Sequence, residues 1–454
     1  MPDPVVAVVG AGPAGLRAAQ ALAEAGLRPV LIDEGDRPGG QIYRQPPPGA
    51  GRPGPDLYGF EAGRARALHR LVGDLAGRLA YRPGTLVWGI EDRHLDLLGP
   101  EGHGRLRVDR LVLATGAMDR VLPFPGWTLP GVFTLGAAQI ALKAQGMALG
   151  ARVALVGAGP LLPLVAHQYA RAGIALAAVL DVTPLRAKAA AAAGLAAEPA
   201  TLAKGLWYTL GGLLRGVPVR SGVRSVAAEG AGRVEALAWR DAAGRPRRVA
   251  CDAVGASFGL RSETQAAELA GCRFAFDGTA RQWLPARSPE GRSSLPHVYL
   301  AGDGSGIGGA DAAELQGERA ARALLADLGR PRDAAREARL DARLARQAGF
   351  RRALEAAYPY PHHIAGGVPD DETVCRCEGV TAGALRAAAL DREAREMNRL
   401  KALTRVGMGR CQGRVCGHAA AEILARSLGV PVAAVGRLRA QPPVKPIPMR
   451  EPAP

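Results

Sequence analysis

Apolar residues fall in short solid runs separated by glycine-rich or charged turns, and the runs recur in one order. Pro4–Val9 is a strand-like run, Pro13–Ala25 places apolar residues at helical spacing, Gly26 stops the helix, and Arg28–Asp33 is a second run. A strand, turn, helix and strand within about thirty residues make a βαβ unit, and strands without a polar face belong to a parallel sheet covered on both sides. A helix is predicted over Gly63–Leu79 and a buried strand over Arg110–Ala114. Ala151–Val156 opens a second unit of the same type, Ile174–Leu180 returns it, and the alanine-rich stretch 186–200 reads as helix. A last strand, Val298–Gly302, leads into a long helix over about Ala310–Leu328. Arg44–Pro55 is rich in proline and glycine and reads as loop. Residues 329–370 read as charged helix and then a Pro/His/Gly loop, Thr373–Gly429 as short helices, and Ala440–Pro454 as an extended proline-rich tail.

A chain of 454 residues with 48% hydrophobic content has room for two or three domains with cores of their own. No run approaches the ~18 uncharged apolar residues of a spanning helix, so no integral membrane segment is expected. Met1-Pro2-Asp3-Pro4 passes straight into the first strand without a basic leader, which gives a cytoplasmic reading. The net charge of +16 is spread over arginines along the whole chain. Aromatics are only 4%, too few for a base-stacking surface, so no nucleic-acid function is expected. A basic face for an acidic redox partner is the better use of that charge.

The first unit carries Gly10-x-Gly12-Pro13-Ala14-Gly15 between strand and helix. Gly10 permits the tight turn, Gly12 lets a pyrophosphate approach the backbone, and Gly15 lets helix and strand pack closely. Glu34, just after the second strand, is the candidate acid for an adenosine ribose, with Asp33 beside it. Pro38-Gly39-Gly40-Gln41, Ala114-Thr115-Gly116 and Ala301-Gly302-Asp303-Gly304 complete the set. They resemble the FAD-contact motifs of the two-dinucleotide-domain flavoproteins, which include disulfide reductases and ferredoxin reductases. The resemblance implies FAD, with Asp303 on the ribityl chain and the helix after it aimed at the flavin pyrimidine edge. The chain departs from the disulfide reductases in having no Cys-x-x-Cys, so dithiol exchange is not expected. The second unit, Gly157-Ala158-Gly159-Pro160-Leu161-Leu162, has Leu162 in the third glycine position and Asp181 at its ribose-acid position. A nucleotide there (NAD, or ADP or ATP) and a retained scaffold stand as alternatives.

Four of the six cysteines form two tight pairs, Cys375-x-Cys377 and Cys411-x4-Cys416. Cys-x-Cys is unusual for zinc, and four thiolates suit a [2Fe-2S] cluster, which is favoured over zinc and over a disulfide. Gly407, Gly409 and Gly413 allow backbone N–H groups to approach sulfide. His418 reads as a surface or cap histidine, and Cys251 and Cys272 as small buried hydrophobes. Tyr43 and Arg44 follow the flavin-side glycines and read as neighbours of the flavin or of a partner. His362-His363 reads as solvated loop. The segment 373–430 resembles bacterioferritin-associated ferredoxin, though that family closes with two residues between its last cysteines and this chain has four. Together with Gly39-Gly40-Gln41-Ile42-Tyr43-Arg44 and Gly159-Pro160-Leu161-Leu162, the cysteine segments look like the flavin-containing alpha (A) subunits of heteromeric dye-linked dehydrogenases, a group including opine oxidase, hydrogen cyanide synthase and proline or D-hydroxyproline dehydrogenase. That resemblance implies two kinds of partner, a second flavoprotein that oxidises the substrate and a small ferredoxin-like protein.

The expected fold is α/β: two Rossmann-like domains and a small C-terminal α-helical [2Fe-2S] domain. The FAD-binding domain spans 1–120 and 290–330, an inserted NAD(P)-like domain 121–289, a linker 331–370, the cluster domain 371–432 and a tail 433–454. The expected function is an electron relay between FAD and the cluster within an amino-acid or opine dehydrogenase. A self-contained NAD(P)H:acceptor reductase and a non-enzymatic redox or iron sensor are the alternatives. No catalytic acid or base is assigned.

Overall fold

The computed structural model describes residues 3–49 and 57–448; the part of the predicted 44–55 loop beyond Gly49 and the tail beyond Pro448 lie outside the described residues. The solid apolar runs form the strands. Val6–Val9 is the centre of a five-stranded parallel sheet whose order is Val298–Leu300, Arg110–Leu113, Val6–Val9, Val30–Ile32, Ala80–Arg82. Side chains alternate across it. Val6 and Val8 pack under the helices Pro13–Glu24, Ala62–Asp74 and Ala310–Asp327, while Ala7 faces a second core shared with Leu95 and Leu97 of an antiparallel three-stranded sheet.

The chain leaves this sheet after Leu113 and returns at Val298. Between them lies a second parallel sheet, in the order Val219–Ser221, Ala175–Asp181, Arg152–Ala158, Ala253–Phe258, Val132–Thr134. The outgoing strand Ala117–Asp119 and the returning strand Leu260–Ser262 pair antiparallel, Met118 opposite Arg261. Both crossings are therefore one short ribbon. The alanine-rich helix runs Leu185–Leu195, and a further helix that the apolar pattern does not announce, Pro199–Leu213, follows it.

Residues expected as a linker, 331–370, are largely a packed helix, Ala334–Ala357. Asp333 caps it by accepting from the Arg336 N–H at 2.9 Å. Arg336 then forks onto Glu318 at 2.8 and 2.7 Å, and Arg319 onto Asp341 at 2.7 Å, tying the helix to Ala310–Asp327. Its far end lies on Leu185–Leu195, where a methyl on Gly194 would come within 2.7 Å of the Ala353 Cβ. The C-terminal unit is a hairpin of Thr373–Cys375 with Val380–Thr381 and the helices Ala382–Leu390, Met397–Thr404 and Gly417–Leu428. Thr381 and Glu396 cap the first two helices, and Gly429 ends the third in the left-handed region at φ 65°. The tail turns once at Val432–Val435 and comes back to the first domain, where the Val444 N–H donates to the Trp88 carbonyl at 3.1 Å. Among the described residues no helix is long and apolar enough to cross a membrane.

A tight helix crossing fixes the first domain. A methyl on Gly317 would sit 2.0 Å from the Ala14 carbonyl oxygen, backbone that cannot move without shifting the nucleotide-type turn. Gly317→Val is expected to destabilise the protein by about 1–3 kcal/mol through overpacking. Thermal unfolding checks this; an unchanged melting temperature would mean that the helices are not held at this distance.

Candidate functional site

Gly10 has φ 107°, and a Cβ there would lie 2.3 Å from the Ala114 carbonyl oxygen. Only glycine fits this turn. Gly12 is the N-cap of the helix and Pro13 its first residue, so the N–H groups of Ala14 and Gly15 end a helix with no partner further back. A Cβ on Gly40 would come within 2.8 Å of the Gly12 Cα, and one on Gly304 within 2.7 Å of the Thr115 hydroxyl. Residues 10–15, 39–40, 114–116 and 302–304 are thus brought together at close backbone approach. This is the surface a dinucleotide needs. Asp303 faces the same turn. Its Oδ1 accepts from the Gly308 and Gly309 N–H groups at 2.8 and 2.9 Å, which leaves Oδ2 for a ligand. Burial raises the Asp303 pKa, opposed by those two bonds.

The acids at the second strand divide differently from the sequence expectation. Glu34, the expected ribose acid, is half exposed and pairs with Lys445 of the tail. Asp33 holds the turn instead: its carboxylate accepts from the Ala11 N–H and, at 2.6 Å, from the Gly35 N–H. Burial pushes its pKa up against the pull of these bonds. One residue along a strand reverses the face, so the adjacent acid occupies the inward position. Gln41 is exposed and accepts from Arg44 at 3.0 Å. Tyr43 is fully buried, so it offers no partner surface.

The second glycine turn, Gly157–Gly159, lies at the end of strand Arg152–Ala158. Leu162 is buried, and Asp181 accepts from the Thr183 N–H at 2.8 Å and pairs with Lys188, which also lies 5.2 Å over the Tyr358 ring. The cavity beside it measures about 70 Å³.

The four paired cysteines converge, Cys375 and Cys416 buried and Cys377 exposed. Sulfur contacts run in series from Cys375 to Cys416, Cys416 to Cys411 and Cys411 to Cys377. Among the described residues no group of three or more Cys, His, Asp or Glu is set as a ready cage for a metal ion. The series of sulfur contacts is the stronger guide, because a two-iron centre spreads its four thiolates over two metals. Hydrogen bonding from the Cys416 thiol, joined by the Gly407, Glu378 and Cys377 N–H groups, lowers the Cys375 pKa to about 6. The same thiol, with the Val415 and Gly413 N–H groups, lowers Cys411 to about 5, while Cys416 itself is raised. N–H donors on thiolates are what a ferredoxin-type pocket requires. Cys251 and Cys272 lie in the hydrophobic cores of the second and first domains. His362 and His363 open a short helix and are exposed.

The link between the two sites has no signature in the sequence. Glu263, on the strand side of the ribbon, accepts the Thr115 hydroxyl on its carbonyl oxygen at 2.7 Å, and its carboxylate accepts Arg414 Nε at 2.7 Å. Arg414 lies between Cys411 and Cys416. Arg261 donates to the Arg414 carbonyl at 2.8 Å, Gln265 to the Gln412 carbonyl at 2.8 Å, and Arg281 forks onto Glu422 at 2.8 and 2.6 Å. Arg120 stacks 4.5 Å from the Tyr360 ring centroid. His418, expected at the surface or as a cap, lies in the first turn of Gly417–Leu428; enclosure, then the Arg261 and Arg120 charges, press its pKa well below the usual value. The signal for Arg414 is its place inside the cysteine loop. Glu263 and Arg261 give none, because their partners lie some 150 residues away.

Residues 4–317 match the model of the pyridine nucleotide-disulphide oxidoreductases, and residues 373–426 that of the BFD-like [2Fe-2S] binding domain. The chain is 37% identical to the A subunit of opine oxidase from Rhizobium meliloti over 98% of its own length and 86% of that protein. It is 35% identical to the HcnB subunit of hydrogen cyanide synthase from Pseudomonas aeruginosa over 97% of its length and 96% of that protein. Among solved structures, L-proline dehydrogenase from P. horikoshii superimposes with a TM-score of 0.72 at 21% identity, covering 98% of this chain and 78% of that one, a likeness of fold. These matches assign FAD to the first fold and a [2Fe-2S] cluster to the C-terminal one.

Burial lowers the Arg261 pKa to about 10, and the nearby Glu263 and Cys416 charges favour its charged form. Buried positive charge favours the more negative, reduced cluster. Arg261→Gln is therefore expected to shift the cluster's midpoint potential downward in an EPR-monitored redox titration, and Arg261→Lys to hold it near the parent value. Equal midpoints in all three proteins would mean that this charge does not reach the cluster.

Proposed function

Because the chain belongs to the pyridine nucleotide-disulphide oxidoreductase family, alongside HcnB and the A subunit of opine oxidase, we propose that it is the electron-relaying subunit of a heteromeric cytoplasmic dehydrogenase acting on an amino acid or opine. It is a flavin- and iron–sulfur-dependent oxidoreductase: FAD supplies two-electron chemistry when bound and the cluster one-electron chemistry. In this reading Gly10, Gly12, Pro13, Ala14 and Gly15 receive the pyrophosphate. Asp33 holds the turn and accepts from the ribose, Gly40, Thr115 and Gly116 border the flavin, and Gly302 with Asp303 holds its ribityl side. Cys375, Cys377, Cys411 and Cys416 hold the cluster.

The observation that carries the relay is Glu263. Its backbone orients the Thr115 hydroxyl and its carboxylate orients the cysteine loop through Arg414. The flavin-side loop and the cluster loop thus meet on one residue, which supports direct transfer between the two sites. Cys377 gives the relay a solvent-facing corner, rimmed by exposed Arg376, Arg405 and Arg410, which suits an acidic ferredoxin-like partner. The substrate-oxidising flavoprotein has a different surface available. Helix Pro199–Leu213 leaves Leu206, Trp207, Leu210 and Leu213 between 47% and 58% exposed, and they recur at helical spacing on one face. Such a stripe is an anchor for a partner groove. Leu162 in place of a third glycine, with Asp181 already paired, supports a retained scaffold there rather than a site for NAD or ADP/ATP.

Two measurements test this. In stopped-flow mixing, NADH alone is expected to leave the flavin oxidised for seconds, while substrate with the co-purified second flavoprotein bleaches it. Rapid bleaching by NADH alone would turn the reading to a self-contained NADH:acceptor reductase. Separately, Cys411→Ser is expected to lose the cluster's visible absorbance, keep FAD, and lower dye reduction by the complex at least tenfold. Undiminished dye reduction without a cluster would remove the relay.

A further inference from the structure

Away from the glycine groove and the cysteines, a cavity of about 260 Å³ lies between residues 42–43 and 58–61 of the first domain and three helices of the second, Leu135–Ala144, Leu161–Arg171 and Pro199–Leu213. Its inner wall is cationic. Lys143 and Arg215 line it, and among the described lining residues the one acid, Glu61, is paired with Lys204. Lys143 is 2% exposed and donates to the Ile42 carbonyl at 2.9 Å, one bond for a group with three donors. Two further lining atoms, Tyr43 Oη and His167 Nδ1, are buried with no hydrogen-bond partner among the described residues. A buried ammonium with spare donors beside orphaned polar atoms is unfavourable unless an acceptor enters. The mouth is different in kind. Phe60 stacks on Tyr208 with centroids 5.8 Å apart at 14°, and half-exposed Trp207 stands beside them.

We propose that this cavity binds a small organic anion, with a carboxylate against Lys143 and a flat or apolar body among Phe60, Trp207 and Tyr208. The charge, the unpaired donors and the planar rim each select one part of that chemistry: the first an anion, the second an acceptor, the third an apolar body. The assignment stands apart from the relay, since it uses neither the glycine groove nor the cysteines.

Isothermal titration of the full-length holoprotein with benzoate, its neutral analogue benzamide, and inorganic phosphate tests it. Benzoate is expected to bind saturably, at least tenfold tighter than either comparison. Lys143→Gln is expected to weaken benzoate at least tenfold and to leave benzamide unchanged, with flavin content and melting temperature confirming the fold. Should Lys143→Gln fail to fold, Trp207→Ala, on an exposed helix face, is expected to weaken benzoate severalfold. Benzamide equal to benzoate would overturn the role of Lys143. Phosphate equal to benzoate would overturn the organic body, and no saturable binding would overturn the site. None of these results touches the flavin or the cluster, so failure here leaves the relay standing.

Discussion

The arrangement depends on one ion pair that is nearly removed from water. Arg414 and Glu263 have side chains 8% and 18% exposed and meet at 2.7 Å. Removing one partner of such a pair costs about 3–5 kcal/mol, because the other is left buried and charged. Through this pair the cysteine loop and the flavin-side turn share a residue: the Glu263 carbonyl takes the Thr115 hydroxyl while its carboxylate takes Arg414. A hydrophobic contact would have joined the domains without fixing their register. A charge-assisted bond, with a second bond from Arg261 to the Arg414 carbonyl, fixes orientation as well.

The same interface collects more positive charge than it neutralises. Arg120 and Arg261 are buried with Nε atoms that lack partners, and Arg281 is matched to Glu422. Burial lowers the pKa of both Arg120 and Arg261, the ordinary response to lost solvation. Cys375 and Cys411, both lowered in pKa, supply the opposite sign nearby and offset part of that charge. His418, pressed toward its neutral form by the same arginines, adds no further positive charge.

The fold was legible where physics is local. Solid apolar runs at 4–9, 28–33, 110–114 and 151–156 became strands of two parallel sheets, because periodicity and glycine turns act over a few residues. The cysteine pairs were legible because thiol chemistry narrows the choice. What was not legible is long-range. Which of Asp33 and Glu34 faces the turn depends on strand phase at the sheet edge, and the tail that takes up Glu34 through Lys445 arrives from more than four hundred residues away. In 331–370 the charged helix was legible and its docking was not, for a similar reason. A helix rich in arginine and alanine looks solvated until its partners Glu318 and Gly194 are known.

The second sheet keeps its strand order although Leu162 stands at the third glycine position and its acid pairs with Lys188. A requirement beside any nucleotide can hold such a scaffold in place. The ribbon supplies that requirement. Ala117–Asp119 and Leu260–Ser262 exist as a pair only because a domain is inserted between them, and residues that grip the C-terminal unit lie on or just beyond the returning strand: Arg261, Glu263 and Gln265. Trp127, further along the outgoing crossing, adds a bond from its indole N–H to the Thr373 carbonyl at 2.6 Å, next to the first cysteine pair. Deleting the inserted sheet would therefore remove the seat of the cysteine domain along with the old nucleotide fold. On this view the insertion persists because it positions one redox centre against another, a constraint on the two crossing strands that leaves the glycine turn beyond them free to vary.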